Sequence, residues 1–366
     1  MNDRVYSAES GSAESESWRK CGFTVGMDVS FLDEVEQAGG AFYDWEGRKA
    51  DLLRMLRDHG TTAVRLRIWH VPPGGYCNLE RTIVMARRIK SLGLRFLLDF
   101  HYSDRWADPA NQHKPAAWAG LDETALREAA RGYTRDVLTA LSQQNAAPDM
   151  VQIGNEITPG MLWDDGRVDG DFDTDTQWEK LAGLVRSGMD GAKDALPDVR
   201  IMIHIDRGGD LTASERFFDR IAACGIADFD CIGLSYYPWW HGTLEDLRHT
   251  LGGLAKRYGK PVNVVETAYP WTLDKREGLD FIVHGEAQLL AGYPATEEGQ
   301  ASYLRDFIRI VRETAGGLGD GFYWWEPAWT PAKTEWSVGH GNNWSNLTLV
   351  DFEGRPLQAL QALRGR

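Results

Sequence analysis

A chain of 366 residues with 43% hydrophobic and 26% charged residues can bury a sizeable core, so its composition argues against an intrinsically disordered protein. Its net charge of −14 argues against a nucleic-acid partner, because binding phosphates needs a basic surface that releases counterions. Four widely spaced cysteines without a CxxC motif predict neither a zinc site nor a disulfide scaffold.

The chain opens with a Ser-, Glu- and Ala-rich segment, residues 1–18, whose lack of periodicity predicts a flexible tail. This segment lacks the apolar stretch of a signal peptide, and no window of about 18 apolar residues appears in the sequence, so we expect no membrane partner. The sequence therefore predicts a cytoplasmic location, with secretion as the alternative if a signal peptide has been removed.

Eight short apolar runs rich in β-branched or aromatic residues then follow, at 23–29, 63–69, 95–101, 150–156, 200–206, 231–237, 262–268 and 321–326. Between them, apolar residues recur at helical spacing of three and four, for example in 51–56 and 244–248. Gly60, Gly93 and Gly259 stand where such helices are expected to end.

Strands that are apolar on both faces and alternate with helices are typical of a parallel sheet, and eight such units predict an α/β fold, a (β/α)₈ barrel. No long Pro-, Gly- or Ser-rich linker interrupts residues 19–366, which predicts one barrel domain. A doubly wound sheet is the alternative, but neither a GxGxxG motif nor a P-loop follows an early strand.

Most of the predicted strands end in side chains that can do chemistry. The active site of a parallel barrel lies at the C-terminal ends of its strands, so these groups are expected to converge. Each one alone is equally typical of a loop residue or a helix cap. The groups are Asp28, Arg65, Arg67, Trp69, Asp99, His101, Asp104, Asn155, Glu156, His204, Asp206, Tyr236, Tyr237, Glu266, Trp325 and Glu326.

Two of these groups, Glu156 at the end of the fourth run and Glu266 near the end of the seventh, are carboxylates from opposite sides of the predicted barrel. Glycosidic cleavage needs one carboxyl group that is protonated and another that stays ionised. A serine hydrolase is not indicated, because no GxSxG motif is present. The pattern favours a glycosidase.

Several stretches resemble one family along most of the chain, from about residue 22 to residue 360. They are "VRLRIW" (64–69), "LLDFHYSDRWADPANQHKP" (97–115), "VQIGNEITPGMLW" (151–163), "IMIHID" (201–206), "IGLSYYPWWHGTL" (232–244), "VVETAYP" (264–270), "YPATEEGQA" (293–301) and "YWWEPAW" (323–329). They are similar to the endo-β-1,4-galactanases of glycoside hydrolase family 53, which belongs to a large clan of retaining barrel glycosidases.

The resemblance implies hydrolysis of β-1,4-galactan or galacto-oligosaccharides through a covalent glycosyl-enzyme, by a protein expected to be monomeric. Position by position, it implies that Glu156 is the general acid/base and Glu266 the nucleophile. Asn155 would hold the 2-hydroxyl of the attacked sugar, a contact that strengthens in the transition state.

Further roles are also implied by the resemblance. Arg67, with Arg65 as the alternative, is expected to keep the nucleophile ionised. Tyr237 is expected to hydrogen-bond Glu266, and Trp325 to form the floor under the −1 sugar. The cleft is expected to be lined by His101, Asp104, Trp106 and His204.

The sequence also departs from the family pattern. Bacterial members often carry calcium in an acidic loop after the seventh strand, but residues 272–288 mix basic residues with fewer acids. We therefore expect no cofactor, since calcium needs six to eight oxygen ligands. Arg207 stands where Asn is commoner and Trp324 where Tyr is commoner, which leaves product length open.

Other functions stay open at this point. A metal-dependent hydrolase would use His101, Asp104, His204 and Asp206, although no HxH or HExxH spacing supports it. A non-catalytic sugar-binding barrel would keep the aromatic residues without needing both glutamates. A mannanase or xylanase of the same clan would use identical carboxylates, because only the loops distinguish the epimers of the sugar.

Overall fold

The structure is a computed structural model that describes residues 22–274, 276, 278–332 and 342–364. The predicted tail, 1–18, and Cys21 lie outside the described residues. Within the described part, Cys77, Cys224 and Cys231 are free thiols. No helix of this part is both long and apolar enough to cross a lipid bilayer.

Eight parallel strands close into a barrel in which each strand pairs with its neighbours along the chain and the last pairs with the first. The predicted (β/α)₈ barrel is therefore confirmed, and closure rules out the doubly wound sheet. The strands are β1 (Thr24–Asp28), β2 (Ala63–Ile68), β3 (Arg95–Phe100), β4 (Met150–Ile153), β5 (Arg200–Ile205), β6 (Cys231–Ser235), β7 (Val262–Thr267) and β8 (Gly319–Trp325).

Helices connect the strands on the outside. They are α1 (Leu32–Gln37), α2 (Leu52–Asp58), α3 (Leu79–Ser91), α4 (Glu123–Gln143), α5 (Asp175–Ala195), α6 (Leu211–Ala223), α7 (Pro238–His241), α8 (Leu244–Tyr258), α9 (Glu297–Arg312) and α10 (Ala359–Ala362). Short hairpins, Phe42–Tyr43 with Lys49–Ala50 and Gly160–Met161 with Gly166–Arg167, lie outside the barrel.

Side-chain caps set where most of the longer helices begin. Each capping oxygen accepts a hydrogen bond from a backbone N–H in the first turn, which satisfies a donor that the helix itself leaves free. The capping residues are Asp51, Asn78, Asp122, Thr174, Asp210, Thr243 and Thr296. At the other ends, Gly60, Gly93 and Gly259 take positive φ, as predicted from the sequence.

The barrel interior changes from apolar to polar along the strands. Its N-terminal half is filled by an apolar layer of Ala63, Leu97, Met150, Met202, Cys231, Val265 and Tyr323. Gly26 makes room for this layer, since a Cβ there would lie 2.3 Å from the Tyr323 ring. Because alternate strand residues face the same side, the next inward positions toward the C-terminal ends follow two residues later. Those positions are buried and polar: Asp28, Arg65, Asp99, Gln152 and His204.

Candidate active site

A cavity of about 570 Å³ opens at the C-terminal ends of the strands, above this polar layer. Its base holds Asp28, Arg65, Asp99, Asn155, Glu156 and Glu266, and its walls include Trp106, Tyr237, Trp240, Trp325, Trp329 and Trp344. Flat aromatic walls above convergent polar groups suit a sugar, whose ring has apolar faces and hydroxyl edges.

The two glutamates predicted as catalytic meet in this cavity. One carboxylate oxygen of Glu156 lies within 4.8 Å of an oxygen of Glu266, and both side chains are buried. They arrive from opposite sides of the barrel, since Glu266 lies on β7 and Glu156 lies just after β4.

Glu156 reaches the cavity because β4 is shorter than the sequence predicted. The strand ends at Ile153, and the backbone turns at Gly154 and Glu156, whose φ values are +79° and +48°. Positive φ at a residue with a side chain costs free energy and is often found at functional sites. The turn places Asn155 and Glu156 at the base of the cavity.

The carboxylate of Glu266 is held at both oxygens. Arg65 Nη1 donates to Oε1 at 2.9 Å, and the Tyr237 hydroxyl donates to Oε2 at 2.9 Å. Burial raises the pKa of Glu266 to about 7, while the Arg65 cation and the Tyr237 hydroxyl oppose that rise. The contact predicted for Tyr237 is therefore present.

Arg65 also contacts three groups besides Glu266. Its guanidinium nitrogens lie 2.9 Å from Asp28, 2.8 Å from Asp99 and 2.8 Å from Asn155 Oδ1. Three buried carboxylates around one cation keep Arg65 protonated, and they give this cluster a net negative charge.

The arginine named first in the sequence analysis, Arg67, has a different partner. Arg67 lines the cavity, but its Nη1 donates to Glu326 at 2.7 Å, and its guanidinium lies 4.1 Å from the Phe31 ring centroid and 4.3 Å from that of Trp106. Arg67 is two residues closer to the strand end than Arg65, so it reaches the loop after β8 rather than Glu266. The alternative, Arg65, contacts Glu266.

The carboxyl group of Glu156 has an environment unlike that of Glu266. Its Oε1 accepts a hydrogen bond of 2.5 Å from Ser235, and no ion pair of the described residues includes it. Burial, and then the negative charges of Glu266 and Asp206, raise its pKa well above the usual value for glutamate. The two carboxyl groups are therefore suited to opposite protonation states.

Asn155 is fixed at both ends of its amide. Its Oδ1 accepts from Arg65, and its Nδ2 donates to the carbonyl of Ala107 at 2.8 Å. One hydrogen of Nδ2 remains for another acceptor at the cavity wall.

The four residues expected to line the cleft divide into two pairs. His101 and Trp106 line the cavity, and the imidazole Nε2 of His101 lies 3.0 Å from Asp99. Asp104 and His204 are not among the lining residues. Asp104 instead accepts backbone hydrogen bonds from Val71 and Ala116, and these fix the loops after β2 and β3.

His204 is completely buried one level below the cavity. It contacts Ser235 and Gln152, two residues that the sequence analysis did not single out. A signal for both was present, since each is a polar residue within an otherwise apolar strand run.

Trp325 lies at the cavity wall beside three other indoles, those of Trp106, Trp329 and Trp344. Its ring centroid is 4.5 Å from that of Trp344, at 75°, and 5.7 Å from that of Trp106. These edge contacts hold the exposed face of Trp325 in place, as a sugar-stacking floor requires.

The metal-hydrolase alternative predicted a ligand set that the structure does not bring together. Among the described residues, the group of acids and histidines close enough to share an ion is Glu156, His204 and Glu266. Both ring nitrogens of His204 are already in hydrogen bonds, to Ser235 and Gln152. The arrangement therefore does not fit a metal centre.

The calcium prediction concerns residues 272–288, of which 275 and 277 lie outside the described part. Two backbone carbonyls of this loop, those of Thr272 and Val283, converge on the buried Asn346 amide, which donates to them at 2.9 and 2.8 Å. A hydrogen-bond donor already occupies the point where these carbonyls meet, so they do not fit a cation.

Comparison with known proteins identifies the family of this chain. The family model described as Glycosyl hydrolase family 53 matches residues 24–363. A Niallia circulans protein described as uncharacterized, in the bgaB 5′ region, is 60% identical over 93% of this chain and 93% of its own. The arabinogalactan endo-β-1,4-galactanase of Cellvibrio japonicus is 35% identical over 90% of this chain and 86% of its own. The solved GH53 catalytic domain of Ignisphaera aggregans superposes with a TM-score of 0.88 at 38% identity, covering 94% and 96% of the two chains.

Proposed function

The chain belongs to glycosyl hydrolase family 53 and is a glycoside hydrolase, and on that premise we propose that it is a retaining endo-β-1,4-galactanase. Its proposed substrates are β-1,4-galactan and galacto-oligosaccharides, since relatives such as the Cellvibrio japonicus protein are named for that activity. The observation that carries the proposal is the pair of buried glutamates within 4.8 Å of each other in an aromatic-walled cavity.

The separation of the carboxyl groups supports retention of configuration. Retaining glycosidases hold their two carboxyl groups about 5–5.5 Å apart, whereas inverting enzymes leave about 6.5–9.5 Å for a water molecule. The 4.8 Å approach of Glu156 and Glu266 falls on the retaining side. Direct attack by Glu266 on the anomeric carbon is then the first step.

The electrostatic surroundings support one role for each glutamate. Glu266 contacts the Arg65 cation and the Tyr237 hydroxyl, which stabilise its carboxylate form, so it is the nucleophile. Glu156 has no cation partner among the described residues and faces Asp206 and Glu266, which favour its protonated form. When the two share one proton, it therefore resides on Glu156.

The reaction then proceeds in two displacements. Glu266 forms a bond to the anomeric carbon while Glu156 donates its proton to the leaving glycosidic oxygen. Glu156, now ionised, takes a proton from water, which displaces Glu266 from the sugar. The free hydrogen of Asn155 Nδ2 is placed to bind the 2-hydroxyl, and Trp325 supports the ring.

The pH dependence of kcat/KM is expected to be bell-shaped. Lowering the pH protonates Glu266, so activity falls below its pKa of about 7. Raising the pH ionises Glu156, whose pKa burial and the charges of Glu266 and Asp206 raise well above its usual value, so activity falls again on the alkaline side. Initial rates between pH 4 and pH 10 test this, and a flat profile between pH 4 and pH 9 would contradict the assignment. Glu156→Gln provides the control, because it should remove the alkaline limb.

The substrate class is tested by incubating the protein with β-1,4-linked galactan, mannan and xylan and resolving the products by length. The proposal requires that galactan is shortened to oligosaccharides. Cleavage of mannan or xylan alone would assign the protein to another substrate of the same clan. Relative rates on polymer and oligosaccharide decide which of the two is preferred.

The sugar-binding alternative is tested by a 2-fluoro-galactosyl inhibitor with a good leaving group. A retaining enzyme acquires a covalent label on Glu266, whereas a protein that only binds sugars acquires none. The cytoplasmic location and the monomeric state stay proposals from the sequence.

A further inference from the structure

A chain of buried hydrogen bonds runs beneath Glu156, and the proposed reaction does not use it. Ser235 Oγ lies 2.5 Å from Glu156 Oε1 and 2.9 Å from His204 Nε2. His204 Nδ1 lies 3.0 Å from Gln152 Nε2. Ser235, His204 and Gln152 have no solvent exposure.

Local packing explains why these residues meet. Ser235 faces inward near the end of β6, and the preceding inward position on that strand is Gly233. A Cβ at Gly233 would lie 2.7 Å from Met202 Sδ and 3.3 Å from His204 Cβ. The glycine therefore makes room chiefly for the Met202 side chain and, less tightly, for the Cβ that carries the His204 imidazole.

The donors in this chain can be assigned. The backbone N–H of Glu156 and the Gln152 amide both point to His204 Nδ1, so this atom accepts. The hydrogen of the neutral ring is then on Nε2, which donates to Ser235 Oγ, and the hydroxyl donates to Glu156 Oε1. Nδ1 also lies 3.1 Å from Asn155 Oδ1, an oxygen that already accepts from Arg65.

We propose that Ser235, oriented by His204, is a positioning residue for the general acid/base, an inference that rests on the proposed role of Glu156. The hydroxyl holds Oε1 against β6, which leaves Oε2 to carry the proton to the leaving oxygen. A carboxyl group that rotated freely would present that proton in the correct direction only part of the time.

The charges around Glu156 make this contact unusual. Glu266 from β7, Asp206 after β5 and Asp108 after β3 all disfavour its ionised form. Tyr237, which follows β6, is neutral, and burial keeps the pKa of His204 well below its ordinary value, so the imidazole is neutral too. Among the described residues, Ser235 is the side chain that donates a hydrogen bond to this carboxyl group. It therefore lowers a pKa that its other neighbours raise.

The test is Ser235→Ala, which removes one oxygen atom from the strand. We expect the pKa of Glu156 to rise by roughly one unit, because a charge-assisted hydrogen bond to the carboxylate is lost. It is measured by ¹³C NMR of protein labelled at the glutamate δ-carbon, with the signal assigned by its loss in Glu156→Gln. The alkaline limb of kcat/KM should move by the same amount.

The expected kinetics of Ser235→Ala also distinguish a positioning role from a merely structural one. We expect kcat on galactan to fall roughly ten-fold with little change in KM, and activated aryl galactosides to lose less, since they need less help from an acid. Ser235→Thr keeps the hydroxyl and should restore both the titration and the leaving-group dependence. Ser187→Ala is the matched control, since that hydroxyl on α5 donates only to the Gly183 carbonyl at 3.0 Å.

The outcomes separate this inference from the proposed function. An unchanged Glu156 titration in a folded Ser235→Ala protein overturns the positioning role, even if activity falls. A parent protein that cleaves no β-galactoside overturns the proposed function and this role with it. The expected titration shift together with a leaving-group-dependent loss supports the proposal.

Discussion

Glu266→Ala is expected to abolish hydrolysis of β-1,4-galactan, with a loss of kcat on the order of 10⁴-fold or more. The substitution removes the carboxylate that bonds to the anomeric carbon, one that lies within 4.8 Å of Glu156. Product formation measured over hours at high enzyme concentration gives the residual rate.

The fold of this variant is expected to survive, because Arg65 keeps two of its carboxylate partners, Asp28 and Asp99. Thermal unfolding checks this point. Glu298→Ala, which removes a glutamate from an exposed ion pair with Arg305, is the matched control and should keep full activity. Near-parental activity in Glu266→Ala would contradict the nucleophile assignment, as would the fluoro-sugar label appearing on another residue.

Glu156→Gln is expected to slow galactan cleavage by about 10²- to 10⁴-fold, the range for loss of a general acid. The amide has nearly the same shape as the carboxyl group, and its oxygen can still accept from Ser235, so the site geometry is preserved. What it loses is a proton that can be transferred to the leaving oxygen.

The decisive measurement for this variant is its dependence on the leaving group. A series of aryl β-galactosides should show a steep rise in kcat/KM as the leaving group becomes more acidic, with activated members nearest to the parental rate. Galactan cleavage at the parental rate would contradict the acid role. An equal loss for every leaving group would indicate that binding, and not proton donation, was damaged.

The difference between the two glutamates depends on one buried arginine. Arg65 contacts Glu266 but not Glu156, although their carboxylate oxygens come within 4.8 Å of each other. At such a distance, ionising both groups is costly in a buried site. The position of Arg65 therefore selects which glutamate carries the negative charge.

Much of the architecture could be read from the sequence. Short apolar runs predicted all eight strands, because a strand of a (β/α)₈ barrel is buried on both faces and its sequence is therefore almost entirely apolar. Glu156 and Glu266 were found because each stands at the end of such a run, and strand ends of a parallel barrel meet at one face. Family-like blocks around these residues indicated the same class of enzyme.

The contacts within the site could not be read in this way. Arg65 and Arg67 face the same side of β2, and nothing in their spacing says which one reaches Glu266. The answer depends on how far each strand is shifted along its neighbour. The pairing register of β7 with β8 changes between Val264 and Thr267, the segment that contains Glu266. Asp104 does not line the cavity because it accepts hydrogen bonds from two backbone amides, one in the loop after β2 and one in its own loop after β3.

The sequence by itself determined the barrel, the face that carries the chemistry and the two carboxylates, since these follow from the order and periodicity of residues along the chain. Only the tertiary structure decided the partners, including Ser235 above His204 and Arg65 beside Glu266. The physical reason is that a hydrogen bond or an ion pair forms or fails with a change of a few tenths of an ångström in the distance between its two atoms, and here those atoms lie on strands far apart in sequence. Strand shear and packing set those distances, and a residue pattern does not encode them locally.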